Sequence, residues 1–280
     1  MKEEIKYLIT QEEPEFKIRL GKFPCLNEKY SDRNLILIPG WLSAIDNFTS
    51  MAEALQHYCN VIIYEPRGFG ESITTHKKGY FGIEEYNKEL SSVISHLKLK
   101  DKDFIILGSC SGGSQAFNHY LDGEGFKPNV LIAFSPQEYY NTPFFVPALG
   151  WIPTFIMTFV QKMIIVLYRF YLRVRGTGES ANVTWAADRL KKNDAWSLRR
   201  YVIEFIVNHD IRGRQSDIDV PIQMIVAKKD HFVDPEKSKK FLHNEASEII
   251  EIETIMHRVH EGKEDKIAQI INDFLLKLGH

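Results

Sequence analysis

Three residue types that together perform acyl transfer occur in this chain in the order nucleophile, acid, base. The nucleophile comes from Asp103-Phe104-Ile105-Ile106-Leu107-Gly108-Ser109-Cys110-Ser111-Gly112-Gly113. A short apolar run meets a Gly-x-Cys-x-Gly-Gly turn, and Ser114 to Leu121 continue with helix formers. This reads as strand, sharp turn, helix, with Cys110 at the strained centre and glycines where a Cβ would strike adjacent backbone. Ser111 is the rival centre, since Ser109 and Gly113 flank it at the same spacing. Gly108 directly after the strand and the Gly112-Gly113 pair favour Cys110. The acid is Asp230, at the turn after an apolar run, with Asp234 as the alternative. The base is His257, after the alternating stretch Glu251-Ile252-Glu253-Thr254-Ile255, with His260 next in line. Nucleophilic acyl transfer requires such a set: an attacking atom, a base for its proton, a carboxylate to orient the base, and donors for the oxyanion.

The elements that must position these residues alternate. Glu15–Leu20 has the polar–apolar alternation of a half-buried strand. Runs at 34–38, 60–65, 104–107, 130–134 and 222–227 are nearly all apolar, as strands buried on both faces are. Helical spacing fills Asn47–Tyr58, Ile83–Leu97, Gly113–Leu121 and Glu264–Leu278. Strands alternating with helices predict a mostly parallel central sheet with helices on both faces. Residues 137–212 break the rhythm. They hold ten Lys/Arg and six Asp/Glu, a net +4 against −6 for the remainder. They are expected to form a helical cap inserted after the sixth core strand, leaving 1–136 and 213–280 as the core.

Five segments in this order resemble the α/β-hydrolase family. Leu35-Ile36-Leu37-Ile38-Pro39-Gly40-Trp41 is similar to the oxyanion-loop strand, with Pro39 where His is common. Tyr64-Glu65-Pro66-Arg67-Gly68-Phe69-Gly70-Glu71-Ser72 resembles the Tyr-Asp-x-Arg-Gly-x-Gly-x-Ser turn. The Gly108–Gly113 elbow, Ala227–Val233 and Met256–Glu261 complete the set. The resemblance implies the α/β-hydrolase fold, a Cys110–His257–Asp230 triad, and an oxyanion hole from the backbone N–H groups of Trp41 and Ser111. The elbow usually centres on serine. Cysteine is found in polyhydroxyalkanoate synthases and dienelactone hydrolases, which this chain resembles at the box only.

A cysteine makes the acyl intermediate a thioester, and a neighbouring histidine favours the thiolate. The expected function is therefore acyl hydrolysis of esterase or thioesterase type. Acyl transfer to another nucleophile is the alternative, and a non-catalytic binding member of the fold the second. Phe144–Tyr168 contains one charged residue, Lys162, in 25 positions. It is expected to pack as a cap helix beside an apolar acyl group, with Trp151, Phe155 and Phe159 as candidate contacts. Its length alone would allow a membrane span, but Pro147, Pro153, Gln161 and Lys162 argue against one. Arg169, Arg173 and Arg175 suit a helix C-terminus, and the positive segment permits transient contact with an anionic membrane surface.

The net charge of −2, without a Lys/Arg run longer than two, excludes a nucleic-acid binder. Cys25, Cys59 and Cys110 give no disulfide framework, and Cys25 and Cys59 read as structural. The first residues lack an apolar signal segment, so a reducing cytoplasm is expected. No metal spacing is present and no cofactor is expected. The partner is a small-molecule acyl ester or thioester. His119, His231 and His243 are expected to be solvated.

Overall fold

The computed structural model describes residues 4–11, 15–156, 158–160, 162, 163, 166, 170, 189, 193–230, 233, 235–254 and 257–280. Among the described residues nine strands form one sheet: β1 (Glu4–Gln11), β2 (Phe16–Phe23), β3 (Asn34–Ile38), β4 (Asn60–Glu65), β5 (Ile73–Thr74), β6 (Ile105–Ser109), β7 (Val130–Phe134), β8 (Ile222–Ala227) and β9 (Glu248–Ile252). Their spatial order is β1-β2-β4-β3-β6-β7-β8-β9, with the two-residue β5 beside β2. From β4 through β3 to β9 every pairing is parallel; β1 and β2 join antiparallel at one edge. This is the expected α/β sheet with an antiparallel edge.

The apolar runs are continuous because both faces are covered. Leu35, Leu37, Val61, Ile63, Ile105, Leu107, Val130 and Ile132 point to one side. There they pack with helices α1 (Thr49–Leu55) and α5 (Glu264–Lys277). Ile36, Ile38, Ile106, Leu131, Ala133 and Met224 point to the other side, against α2 (Ile83–His96) and α3 (Ser111–Asp122). The period-2 pleat of one run thus feeds two cores. Truncating a fully buried leucine such as Leu107 to alanine in such a core costs roughly 2–5 kcal/mol.

The four expected helices are present with ends shifted by a few residues. Two strands were not anticipated: β1, and the short β5. Residues 137–212 lie between β7 and β8, and β7 is the fifth of the strands expected from the sequence, so the segment follows the fifth of them and not the sixth. β9 begins three residues earlier than the alternation at Glu251–Ile255 suggests. Its pairing with β8 runs from Gln223↔Glu248 to Ala227↔Ile252, so residues 253 and 254 already belong to the turn towards His257.

Between β7 and β8 the described residues include a 3-10 helix at Val146–Trp151 and helix α4 (Ala195–Glu204). Residues 154–156, 158–160, 162, 163, 166 and 170 are also helical. The segment leaves and rejoins the core at one place. Tyr139 bridges Asp210, and the Ile211 N–H donates to the Glu138 carbonyl at 2.9 Å. α4 is seated on the turn after β4. The Gly70 N–H donates to Asn193 Oδ1 at 2.7 Å, the Phe81 N–H donates to Glu204 Oε2 at 3.0 Å, and Thr74 Oγ1 lies 3.1 Å from Ser197 Oγ. Beneath it Phe16, Phe69, Phe81, Tyr86, Tyr201 and Phe205 form a third apolar cluster.

Candidate active site

The site is built at the C-terminal ends of the parallel strands. Cys110 stands between β6 and α3 with φ +50° and ψ −116°, a conformation unfavourable for a residue with a side chain. The surrounding backbone holds it there. The Cys110 N–H donates to the Phe134 carbonyl at 2.7 Å, and its carbonyl accepts from the Gly113 and Ser114 N–H groups at 3.0 and 3.3 Å. The glycines are required by close approach. A Cβ on Gly108 would lie 2.4 Å from the Gly112 carbonyl oxygen, and one on Gly112 would lie 2.2 Å from the Ile38 carbonyl oxygen. The elbow therefore centres on Cys110, with Ser111 as the first residue of α3. The positive end of α3 faces the cysteine, which favours negative charge there.

Asp230 comes to Cys110 from the turn after β8, and His257 from the segment after β9. Asp230 follows β8, with its side chain fully buried. Its Oδ2 lies 2.8 Å from His257 Nδ1, and its Oδ1 accepts from the Val233 N–H at 3.3 Å. The His257 ring also lies close enough to the Cys110 side chain for the sulfur to act on its pKa. With Nδ1 engaged by Asp230, Nε2 is the nitrogen that meets the sulfur. Burial opposes a charge on His257. The adjacent Cys110 sulfur and the bond to Asp230 outweigh it, and the imidazole pKa is pushed up to about 10. The carboxylate of Asp230 thus orients the His257 ring beside Cys110.

His260, the alternative base, is elsewhere. It is buried, stacked on Phe48 at 4.6 Å and on Phe134 at 5.6 Å, and burial pulls its pKa down to about 4. His119 corrects an expectation of solvent exposure. It is fully buried on α3, with its pKa lowered to about 4 by burial and then by Lys127, because α3 is enclosed on nearly all sides. His243 is exposed; His231 and Asp234 lie outside the described residues. Cys59 is buried, with its thiol pKa pushed up by desolvation, and Cys25 donates to the Asn27 carbonyl at 3.2 Å. Among the described residues no group of three or more His, Cys, Asp or Glu is arranged to hold a metal.

The oxyanion side differs from the simple expectation. The Trp41 N–H does point towards the elbow, but it donates to Ser111 Oγ at 2.8 Å. Tyr201 of α4 is buried nearby, with its ring against Phe69 and Tyr86. A second phenol, Tyr140, lies 2.8 Å from Ser114 Oγ; burial holds its pKa well above the usual tyrosine range. Neither tyrosine carries a sequence signal, because each reaches the site only through the fold of the segment between β7 and β8. The turn after β4 supports the loop after β3. Buried Glu65 accepts from the Ile45 N–H at 2.9 Å and the Ser72 N–H at 3.0 Å. Buried Arg67 is bound to Glu89 at 2.6 Å.

The three candidate substrate contacts are exposed: Trp151 by 88%, Phe155 by 75% and Phe159 by 66%. They are open to solvent rather than packed around an enclosed cavity. Phe155, Phe159, Met163, Val166 and Phe170, spaced four, four, three and four residues apart, are all exposed. No helix among the described residues is long and apolar enough to cross a membrane.

Parallel strand order, elbow and strand-end acid and histidine together define an α/β-hydrolase fold. The family model for serine aminopeptidase, S33, matches residues 30–266, and the chain belongs to that family of hydrolases. No curated protein sequence matches the chain. Among solved structures it is similar to a hydrolase from Pseudomonas aeruginosa PA01, at 12% identity and TM-score 0.75, covering 97% of this chain and 98% of that one. A thermophilic esterase from Thermogutta terrifontis is similar at 15% identity and TM-score 0.75, covering 99% of each chain. An enol-lactonase from Burkholderia xenovorans LB400 follows at 16% identity and TM-score 0.71, covering 92% of this chain and 97% of that one. These likenesses concern the fold.

Proposed function

We propose that the protein is an acyl hydrolase of esterase or thioesterase type that works through an acyl-cysteine intermediate on Cys110. The observation that carries this reading is the chain of contacts from Cys110 to His257 and on to Asp230 Oδ2 at 2.8 Å. The Cys110 thiolate attacks the substrate carbonyl carbon, and the carbonyl oxygen takes up the displaced electron pair. The bond to the leaving oxygen or sulfur breaks as His257 delivers its proton to that atom. Water then loses a proton to His257 and attacks the thioester. The C–S bond breaks, releasing the acid and restoring the thiolate–imidazolium pair. Asp230 keeps Nε2 aimed at the sulfur throughout.

Residues 137–212 serve in this reading as the cap, and the apolar side chains of 144–170 receive an apolar acyl group. Their exposure, with Lys162 as the only charged residue of the Phe144–Tyr168 stretch, also suits transient contact with an anionic lipid surface. Product analysis of an acyl thioester series, with and without an added thiol acceptor, tests the reaction. Free acid as the product in both arms supports hydrolysis. Acyl-acceptor product alone makes the protein an acyltransferase, and the absence of turnover on esters and thioesters refutes the reading.

A further inference from the structure

The loop after β3 and the first turn of α3 meet beside Cys110. They are so close that a Cβ on Gly40 would lie 2.6 Å from the Ser109 carbonyl oxygen and 3.1 Å from the Cys110 Cβ. The Trp41 N–H, next in the chain, donates to Ser111 Oγ at 2.8 Å. Ser111 directly follows Cys110, opens α3 and is only 1% exposed. Its hydroxyl is therefore a buried group, held from the loop side, on the residue next to the nucleophile.

This bond decides which donors an oxyanion meets. The Trp41 N–H has one proton, and that proton is directed at Ser111 Oγ. A hydroxyl that accepts such a bond still has its own proton to give, and rotation about the Cβ–Oγ bond aims it. Accepting from an N–H also polarises the hydroxyl and strengthens the bond it donates. The Ser111 backbone N–H is a second donor, because the first N–H groups of a helix have no partner within it.

We infer that Ser111 is a catalytic residue whose hydroxyl donates to the oxyanion, and that the Trp41 N–H acts through it as a positioning group. The inference rests on acyl transfer at Cys110. As the Cys110 sulfur bonds to the carbonyl carbon, the π electron pair of the carbonyl moves to its oxygen. The Ser111 O–H and N–H meet that oxygen. The Ser111 proton stays on Oγ, and the electron pair returns to the carbonyl as the leaving group departs. A buried donor already held in place needs little reorganisation when this charge develops. It binds the alkoxide more strongly than the ground-state carbonyl, so it acts on the transition state.

Ser111→Ala should lower kcat on the order of 10²-fold, the usual cost of losing one oxyanion donor, with little change in KM. Ser111→Thr keeps a hydroxyl and should retain most of kcat. The second readout is the infrared carbonyl stretch of the acyl enzyme, formed with an octanoyl N-acetylcysteamine thioester isotope-labelled at the carbonyl carbon. A carbonyl relieved of a donor regains double-bond character, so the stretch should lie at higher frequency in Ser111→Ala than in wild type. This readout decides the matter even if Ser111→Thr does not fold. Equal kcat and an equal stretch in Ser111→Ala would mean that the Trp41 N–H serves the oxyanion directly, and would overturn the inference. A lower kcat with an unmoved stretch would make the hydroxyl an anchor for the loop after β3, and would overturn it as well. Wild type that forms no acyl-Cys110 overturns the acyl reading itself; an acyl-Cys110 whose stretch ignores Ser111→Ala overturns the inference alone.

Discussion

The state of His257 is the sharpest physical consequence of this site. Its pKa is raised from 6.5 to about 10 against the opposing effect of burial, with the Cys110 sulfur as the largest favourable influence. One pKa unit corresponds to about 1.4 kcal/mol, so the protonated ring is favoured by an amount on the order of several kcal/mol. Only 22% of the side chain is exposed, so solvent screens the pair weakly. Cys110→Ala removes the sulfur and leaves burial opposed by Asp230 alone. The His257 pKa should then fall. The direction for stability follows from the raised value. A histidine whose folded pKa exceeds its unfolded value contributes fully below about 6.5, and that contribution drains away as pH rises towards about 10. Imidazole NMR of wild type, Cys110→Ala and Asp230→Asn, titrated from pH 5 to 11, reads the shift directly. A wild-type His257 that titrates near 6.5, unmoved by Cys110→Ala, would refute the ion-pair argument.

Gly112→Ala places a Cβ 2.2 Å from the Ile38 carbonyl oxygen, with only backbone to yield. The strain should cost about 3 kcal/mol, seen as a melting-temperature drop of several degrees together with lost activity. Asp230→Asn should leave the fold intact and lower kcat on the order of 10²–10⁴-fold, because the histidine loses the partner that fixes its tautomer; a steady-state assay at several pH values checks this. A chain-length series from acetyl upward should show kcat/KM rising at roughly 0.8 kcal/mol per buried methylene, and Phe155→Ser with Phe159→Ser should flatten that rise. Co-sedimentation of the same double variant with phosphatidylcholine/phosphatidylglycerol vesicles should show weaker association than wild type, and equal association would dismiss the lipid contact.

Much of the core was legible because local chemistry dictates it. Strands buried on both faces must be nearly all apolar, so 34–38, 60–65, 130–134 and 222–227 announced themselves. The elbow was legible because its turn tolerates only small neighbours, and the structure shows that Gly108 and Gly112 face backbone at 2.4 and 2.2 Å. β1 escaped because an edge strand buries little, and β9 was displaced because register with β8, not its own alternation, decides where it pairs. His119 was misplaced because one helix was imagined half-solvated when neighbouring layers enclose it. Tyr201 was invisible for a different reason. It lies between β7 and β8, and its packing against Phe69 and Tyr86 comes from the way α4 seats on the turn after β4, which no local pattern encodes.

The central claim is that Cys110 carries the acyl group. Intact-mass and peptide-mapping measurements after brief incubation with a panel of acyl thioesters and esters test it most directly. The account predicts one added acyl mass per chain, located on Cys110, retained in Cys25→Ala and Cys59→Ala, and absent from Cys110→Ala. An acyl group found on Ser111 with Cys110 unmodified, or turnover that survives Cys110→Ala, would contradict it.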